Sequence, residues 1–73
     1  VHVLNITNGE RLITYAIPAD KHSGEICING AAAHLVSKGD LVIIVAYGSV
    51  DESDVQEYTP CVVHVNEKNE LVA

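Results

Sequence analysis

A small, mostly β fold of the barrel type is what this sequence predicts, on three observations. Short β-branched runs alternate with Gly, Pro and Asn punctuation along the whole chain. One of them, Leu41 to Tyr47, is an almost unbroken apolar run of strand length. Helical composition is confined to two short stretches, Ala31 to Lys38 and Asp51 to Tyr58.

The elements follow in order. Val1 to Thr7 alternates and is rich in Val, Ile and Thr, so it reads as a strand. Asn8-Gly9 then marks a hairpin turn, because both residues tolerate positive φ. Glu10 to Ile17 is the return strand, with Arg11, Ile13, Tyr15 and Ile17 on one face and Leu12, Thr14 and Ala16 on the other. Pro18 ends that ladder and opens a polar loop to Gly24. Glu25 to Ile28 is a short strand, Asn29-Gly30 a turn, and Ala31 to Lys38 a short helix with Gly39 at its left-handed end. Leu41 to Tyr47 has the pattern of a strand buried on both sides. Asp51 to Tyr58 is one or two helical turns capped by Asp51 or Ser53, broken by Pro60. Cys61 to Val65 is a further strand, and Glu67 to Glu70 a turn before a short end. A helix between the third and fourth strands permits a crossover connection.

Composition bounds the function. With 73 residues the chain is at most one small domain. A domain of this size buries only about 60% of the surface its unfolded chain exposes. Yet 48% of the residues are hydrophobic, which predicts that part of the surface is covered by partners: an oligomer, a companion chain, or both. A net charge of −6 gives no electrostatic footprint for nucleic acid or an anionic membrane. No apolar run reaches the roughly 18 residues of a membrane span. The first residues have no signal-peptide pattern, and Val1 already lies inside a strand pattern, as expected of a processed polypeptide or part of a longer one. Cys27 and Cys61 have no metal-ligand spacing and read as buried thiols in a reducing cytosol.

Two clusters could carry chemistry. On the second strand, Arg11, Thr14 and Tyr15 put a guanidinium, a hydroxyl and a phenol just after a tight turn. Arginine can hold a carboxylate through two parallel hydrogen bonds. Tyrosine, with an unperturbed pKa of about 10, is protonated at neutral pH and can donate to a developing carbanion. The plainer alternative is an exposed arginine beside a half-buried tyrosine on an amphipathic strand. In Asn29-Gly30-Ala31-Ala32-Ala33-His34, a glycine turn into a helix start offers unpaired N–H groups to an anion, with side chains small enough for close approach. Its alternative is a simple turn with alanine packing. His2, His22, His34 and His64 have no zinc-protease spacing, and no metal site is expected. Asp20, His22 and Ser23 share a loop without implying a triad, and the acidic stretch Asp51 to Glu57 reads as a solvated face. Asn5-Ile6-Thr7 fits a glycosylation acceptor without a secretory context.

Taken in register, three stretches resemble the aspartate 1-decarboxylase family. They are Thr7-Asn8-Gly9 through Arg11 to Thr14-Tyr15-Ala16-Ile17, then Ile28-Asn29-Gly30-Ala31-Ala32-Ala33-His34, and Gly39-Asp40-Leu41-Val42-Ile43-Ile44. The weaker end, with Tyr58, Pro60 and the run to Val65, also fits, so the resemblance covers nearly the whole chain. It implies a double-psi β-barrel assembled as a homotetramer in the cytoplasm, acting on L-aspartate in the route to pantothenate. It also implies a precursor that cleaves itself at a Gly-Ser bond, the serine becoming a covalent pyruvoyl group. That ketone takes up the aspartate amine as an imine and acts as the electron sink for loss of CO₂, leaving β-alanine.

Position by position, the resemblance makes Tyr15 the proton donor and Arg11 the holder of a substrate carboxylate. It makes Thr14 a substrate contact that also assists self-cleavage. Gly30, Ala31 and Ala32 become the backbone that binds substrate, and Asn29 lines the same pocket. The cleavage Gly-Ser pair, its nearby lysine and the short leading β-chain have no counterpart in these 73 residues, so the barrel is expected to be incomplete without them. Gly48-Ser49 imitates such a pair but follows the apolar strand, where the family has no processing site. Two rival readings share these residues: a non-catalytic barrel module, and a small-molecule binding domain using the Arg11 and Gly30 pocket without chemistry.

Overall fold

The structure is a computed structural model and describes residues 1–72. It is mainly β, as expected. Five strands, β1 (His2–Asn5), β2 (Arg11–Ile13), β3 (Val42–Val45), β4 (His64–Val65) and β5 (Leu71–Val72), accompany two 3-10 helices, Gly30–Leu35 and Glu52–Asp54. All strand pairs are antiparallel and form one three-stranded sheet and one two-stranded hairpin. These open sheets are consistent with a small barrel, and no closed barrel forms among the described residues. The chain divides into two compact units, taken in turn below.

The first unit comprises Val1–Pro18 and Ile26–Tyr47. Strand β1 is central, in the order β2-β1-β3, with Val3 opposite both Leu12 and Ile44. Its alternation sends Val3 and Asn5 inward, and Val3 (2% exposed) and Leu12 (8%) are the buried hydrophobic residues. Pairing continues one step past β2, where the Thr14 N–H donates to the Val1 carbonyl at 2.9 Å and the Val1 nitrogen to the Thr14 carbonyl at 2.7 Å. At the other edge the His2 ring meets Tyr47 edge-on, with centroids 4.6 Å apart.

Several expectations need correction here. The β1–β2 turn is not a two-residue hairpin: Ile6 to Gly9 form a wider loop closed by Asn5 N–H to Glu10 carbonyl at 2.8 Å, and only Gly9 (φ +79°) is left-handed. The return strand is short, and its alternation holds only from Arg11 to Tyr15, with Leu12 buried and Thr14 half-buried between exposed neighbours; beyond the ladder Ala16 is exposed as well as Ile17. Glu25 to Ile28 forms no strand, having no ladder partner among the described residues. The expected strand buried on both sides is an edge strand, and Ile43 and Ile44 stand about half exposed, because no second layer covers β3 among the described residues. Cys27 and Cys61 are exposed free thiols, not buried ones.

The expected helix is a tighter 3-10 helix that starts at Gly30 and stops at Leu35. Its end has a physical cause. Another α-turn would need the Leu35 carbonyl to accept from Gly39. That carbonyl instead accepts from the Asn5 side-chain amide at 3.1 Å and the Asn8 amide at 3.0 Å. Val36 is extended, and Gly39 (φ +93°) serves a separate turn in which the Asp40 N–H donates to Ser37.

Asn5 is the hub of this unit. Though only 2% exposed, its side chain is fully partnered. Nδ2 donates to the Leu35 carbonyl and, at 2.8 Å, to the Asp40 carboxylate, while Oδ1 accepts from the Thr7 N–H at 3.0 Å and the Asn8 N–H at 3.4 Å. Two further bonds hold the same loop to the start of β3: Ile6 N–H to Leu41 carbonyl at 2.8 Å, and Leu41 N–H to Thr7 Oγ1 at 2.9 Å. The burial of Asn5 also removes it as a glycosylation acceptor.

The second unit comprises Ala19–Glu25 and Gly48–Ala73, described to residue 72. The expected strand from Cys61 is ordered as a strand only at His64–Val65, and β5 pairs with it. The expected turn at Glu67 to Glu70 is present. Asn66 organises it, its Oδ1 accepting from the Lys68 N–H at 2.9 Å and the Glu70 N–H at 3.0 Å, and Asn69 (φ +59°) takes the left-handed position. The Asn69 side-chain amide reaches back to the Gly24 carbonyl at 2.8 Å. Gly24 (φ +67°) must lack a Cβ, which would stand 2.6 Å from the Lys68 carbonyl oxygen. Asp51 occupies the expected cap of the short helix Glu52–Asp54, without a side-chain cap bond.

Asp40 accepts hydrogen bonds from the Ser37 N–H at 2.9 Å and from Asn5, and these hold its carboxyl below the ordinary aspartate value. A carboxylate depressed on folding stabilises the fold above its unfolded pKa, and that contribution is lost as pH falls through the folded value. Asp40→Asn should therefore flatten the acid limb of stability below about pH 4. Thermal melts of both proteins across that range test this, and identical acid limbs would contradict it.

Candidate functional site

The two sequence clusters lie on neighbouring elements of the first unit. Strand β2 and the 3-10 helix Gly30–Leu35 approach within 8 Å at their Cα atoms. Arg11, the sole arginine, opens β2 and is exposed, with its Cα opposite Leu4 in the register. Its guanidinium is on the solvent face because Leu12 takes the buried side. Thr14 follows β2, half-buried, with its backbone fastened to Val1. Tyr15 comes next, where the ladder has ended, and is 76% exposed.

On the facing segment, Asn29 is extended (φ −118°, ψ 175°) and precedes the first helical residue, yet its side chain makes no capping bond. It is exposed. Gly30 has φ +64° and open space where a Cβ would stand. That conformation is costly for a residue with a side chain, and it leaves the backbone open to close approach. Ala31 is exposed and Ala32 half-buried. A 3-10 start leaves its first N–H groups without helical acceptors.

The arrangement offers a planar cation, a phenol and unobstructed amides in solvent-facing positions. Taken separately, a guanidinium can hold a carboxylate in two-pronged fashion, and the free backbone amides of a helix start can hold an anion. Among the described residues no three His, Cys, Asp or Glu side chains gather as a metal centre. Among the described residues no helix is long and apolar enough to cross a membrane either.

Sequence reasoning missed the residues that hold these elements together, Asn5, Asn8 and Asp40. In the sequence Asn5 reads as strand and Asn8 as turn, since a side chain bonding 27 to 35 positions away leaves no periodic signal.

Comparison with known proteins agrees with the earlier resemblance. The family model described as aspartate decarboxylase matches residues 1–72. The aspartate 1-decarboxylase of Helicobacter acinonychis (strain Sheeba) is 54% identical over 72 residues, covering 99% of this chain and 61% of its own length. Aspartate 1-decarboxylase 1 of Frankia casuarinae is 60% identical over 72 residues, 99% of this chain and 47% of its own length. The enzyme of the same name from Corynebacterium efficiens is 51% identical over 73 residues, all of this chain and 54% of its own length. The chain thus spans about half the length of the curated relatives it matches. With a match running through every described residue, this chain belongs to the aspartate decarboxylase family.

Proposed function

We propose that this chain supplies the substrate pocket and proton donor of a pyruvoyl-dependent aspartate 1-decarboxylase, which converts L-aspartate to β-alanine and CO₂ on the cytoplasmic route to pantothenate. The observation that carries the proposal is that β2, which opens with exposed Arg11, neighbours the 3-10 helix that starts at the open Gly30 turn, in a chain of this family. The pyruvoyl group would come from a serine outside Val1 to Ala73. The residues present fit it: Gly30 leaves room where a Cβ would stand, and the neighbouring strand brings a cation in Arg11, with a phenol in Tyr15 just beyond it. When bound, a ketone of this kind supplies the electron sink for carbon–carbon cleavage.

The chain's own residues bind, orient and protonate. Arg11 holds the side-chain carboxylate of aspartate through two hydrogen bonds, which fixes which carboxylate is free to leave. The amides of Gly30, Ala31 and Ala32, with Asn29 beside them, receive the rest of the substrate. Thr14 contacts substrate from the end of β2 and assists self-cleavage of the precursor. Tyr15 gives its phenolic proton to the α-carbon once CO₂ has left. Seating against further copies and a leading β-chain, in a homotetramer, would cover apolar side chains such as Ile13, Leu41, Ile43 and Val62, which are 48–78% exposed in this chain.

Release of CO₂ from L-aspartate by the whole assembly separates this reading from a pocket that only binds. Tyr15→Phe should leave the fold intact, since the ring is largely exposed, and lower kcat by about 10²- to 10⁴-fold. Wild-type turnover in that variant would remove Tyr15 from the mechanism. Arg11→Lys should raise KM for L-aspartate about tenfold, through loss of the two-pronged contact. An unchanged KM would take the carboxylate away from Arg11.

A further inference from the structure

We infer that Asn5, acting with Asn8 and Asp40, is a positioning residue for substrate binding: its amide clamps the C-terminal end of the 3-10 helix and so sets where Gly30 to Ala32 stand relative to Arg11. This rests on the proposed carboxylate pocket and names what holds it in shape. Arg11 follows directly on the β1–β2 loop, and the amides proposed for substrate lie at the other end of the helix that finishes at Leu35. A six-residue 3-10 helix has little rigidity of its own. Its last carbonyl is gripped by two side-chain amides from β1 and the β1–β2 loop. The turn beyond it is tied to the same Asn5 amide through Asp40, whose carboxylate also takes the Ser37 N–H. Loop, helix end and following turn therefore move as one body, and Arg11 is carried on that body's edge. None of these three side chains needs to touch substrate for the distance from guanidinium to amides to depend on them.

The test uses the processed, assembled enzyme. Asn5→Asp keeps the Oδ1 acceptor, removes both amide protons and sets a second carboxylate beside Asp40. The double variant Asn5→Asp/Asp40→Asn turns that pair around, so that an amide at position 40 donates to a carboxylate at position 5. The single variant should raise KM for L-aspartate about tenfold while kcat changes by less than about twofold. Hydrogen exchange across residues 29–36 should quicken with it. The double variant should recover only part of both changes, because it restores the pair at positions 5 and 40 but leaves the Leu35 carbonyl without its donor from position 5. Should Asn5→Asp fail to assemble, Asn8→Asp, at an exposed position, keeps the Oδ1 that accepts from the Glu10 N–H, removes the second donor to Leu35 and should also raise KM. Unchanged KM, or KM and kcat worsening together with no recovery in the double variant, would overturn the inference. If the wild-type assembly releases no CO₂ from L-aspartate, the proposed function fails by itself, and the exchange data alone decide the clamp.

Discussion

A buried amide that must be satisfied organises the first unit of this molecule. Removing an Asn side chain from water is costly unless each donor and acceptor finds a partner. Asn5 faces inward because it alternates with Val3 on the central strand. Its partners can come only from segments brought against that strand, so satisfying it recruits the β1–β2 loop, the end of the 3-10 helix and the Ser37–Asp40 turn at once. A hydrophobic residue at this position could fill the space but would specify none of these contacts.

The same constraint accounts for how thin the remaining core is. Val3 and Leu12 are the buried apolar pair, while large side chains from β2, β3 and the second unit stand in solvent. Hydrophobic burial of that extent is weak support for a chain this short, and directional hydrogen bonds carry more of the local order than is usual. It also explains why functional groups end up accessible: Arg11 and Tyr15 lie on the face that Leu12 does not occupy, and the glycine turn has nothing packed over it.

Much of this was legible beforehand. The strand character of the opening residues, the alternation from Arg11 to Tyr15 and the turn before β5 follow from period-two patterning and turn chemistry, which are local. The candidate site residues stand out through motif register, and β2 and the 3-10 helix, which carry Arg11 and Gly30 to Ala32, are neighbouring elements. What failed was non-local. Leu41 to Tyr47 reads as buried because its composition is apolar, but composition does not say whether a second layer is present in the same chain. The helix from Ala31 reads as continuing to Lys38 because propensity is summed along the sequence, whereas its end is decided by Asn5 and Asn8 from across the fold. Cys27 and Cys61 read as buried on residue type alone, which does not register that nothing packs over them; both are exposed.

The most direct measurement is nuclear magnetic resonance of the Asn5 side-chain amide in the assembled protein. Two protons held by the Leu35 carbonyl and the Asp40 carboxylate should resolve as separate signals and resist exchange with water for far longer than exposed asparagine amides. Signals that exchange as freely as those of a solvent-facing asparagine would contradict the account, because the loop, the helix end and the turn would then have lost their common anchor.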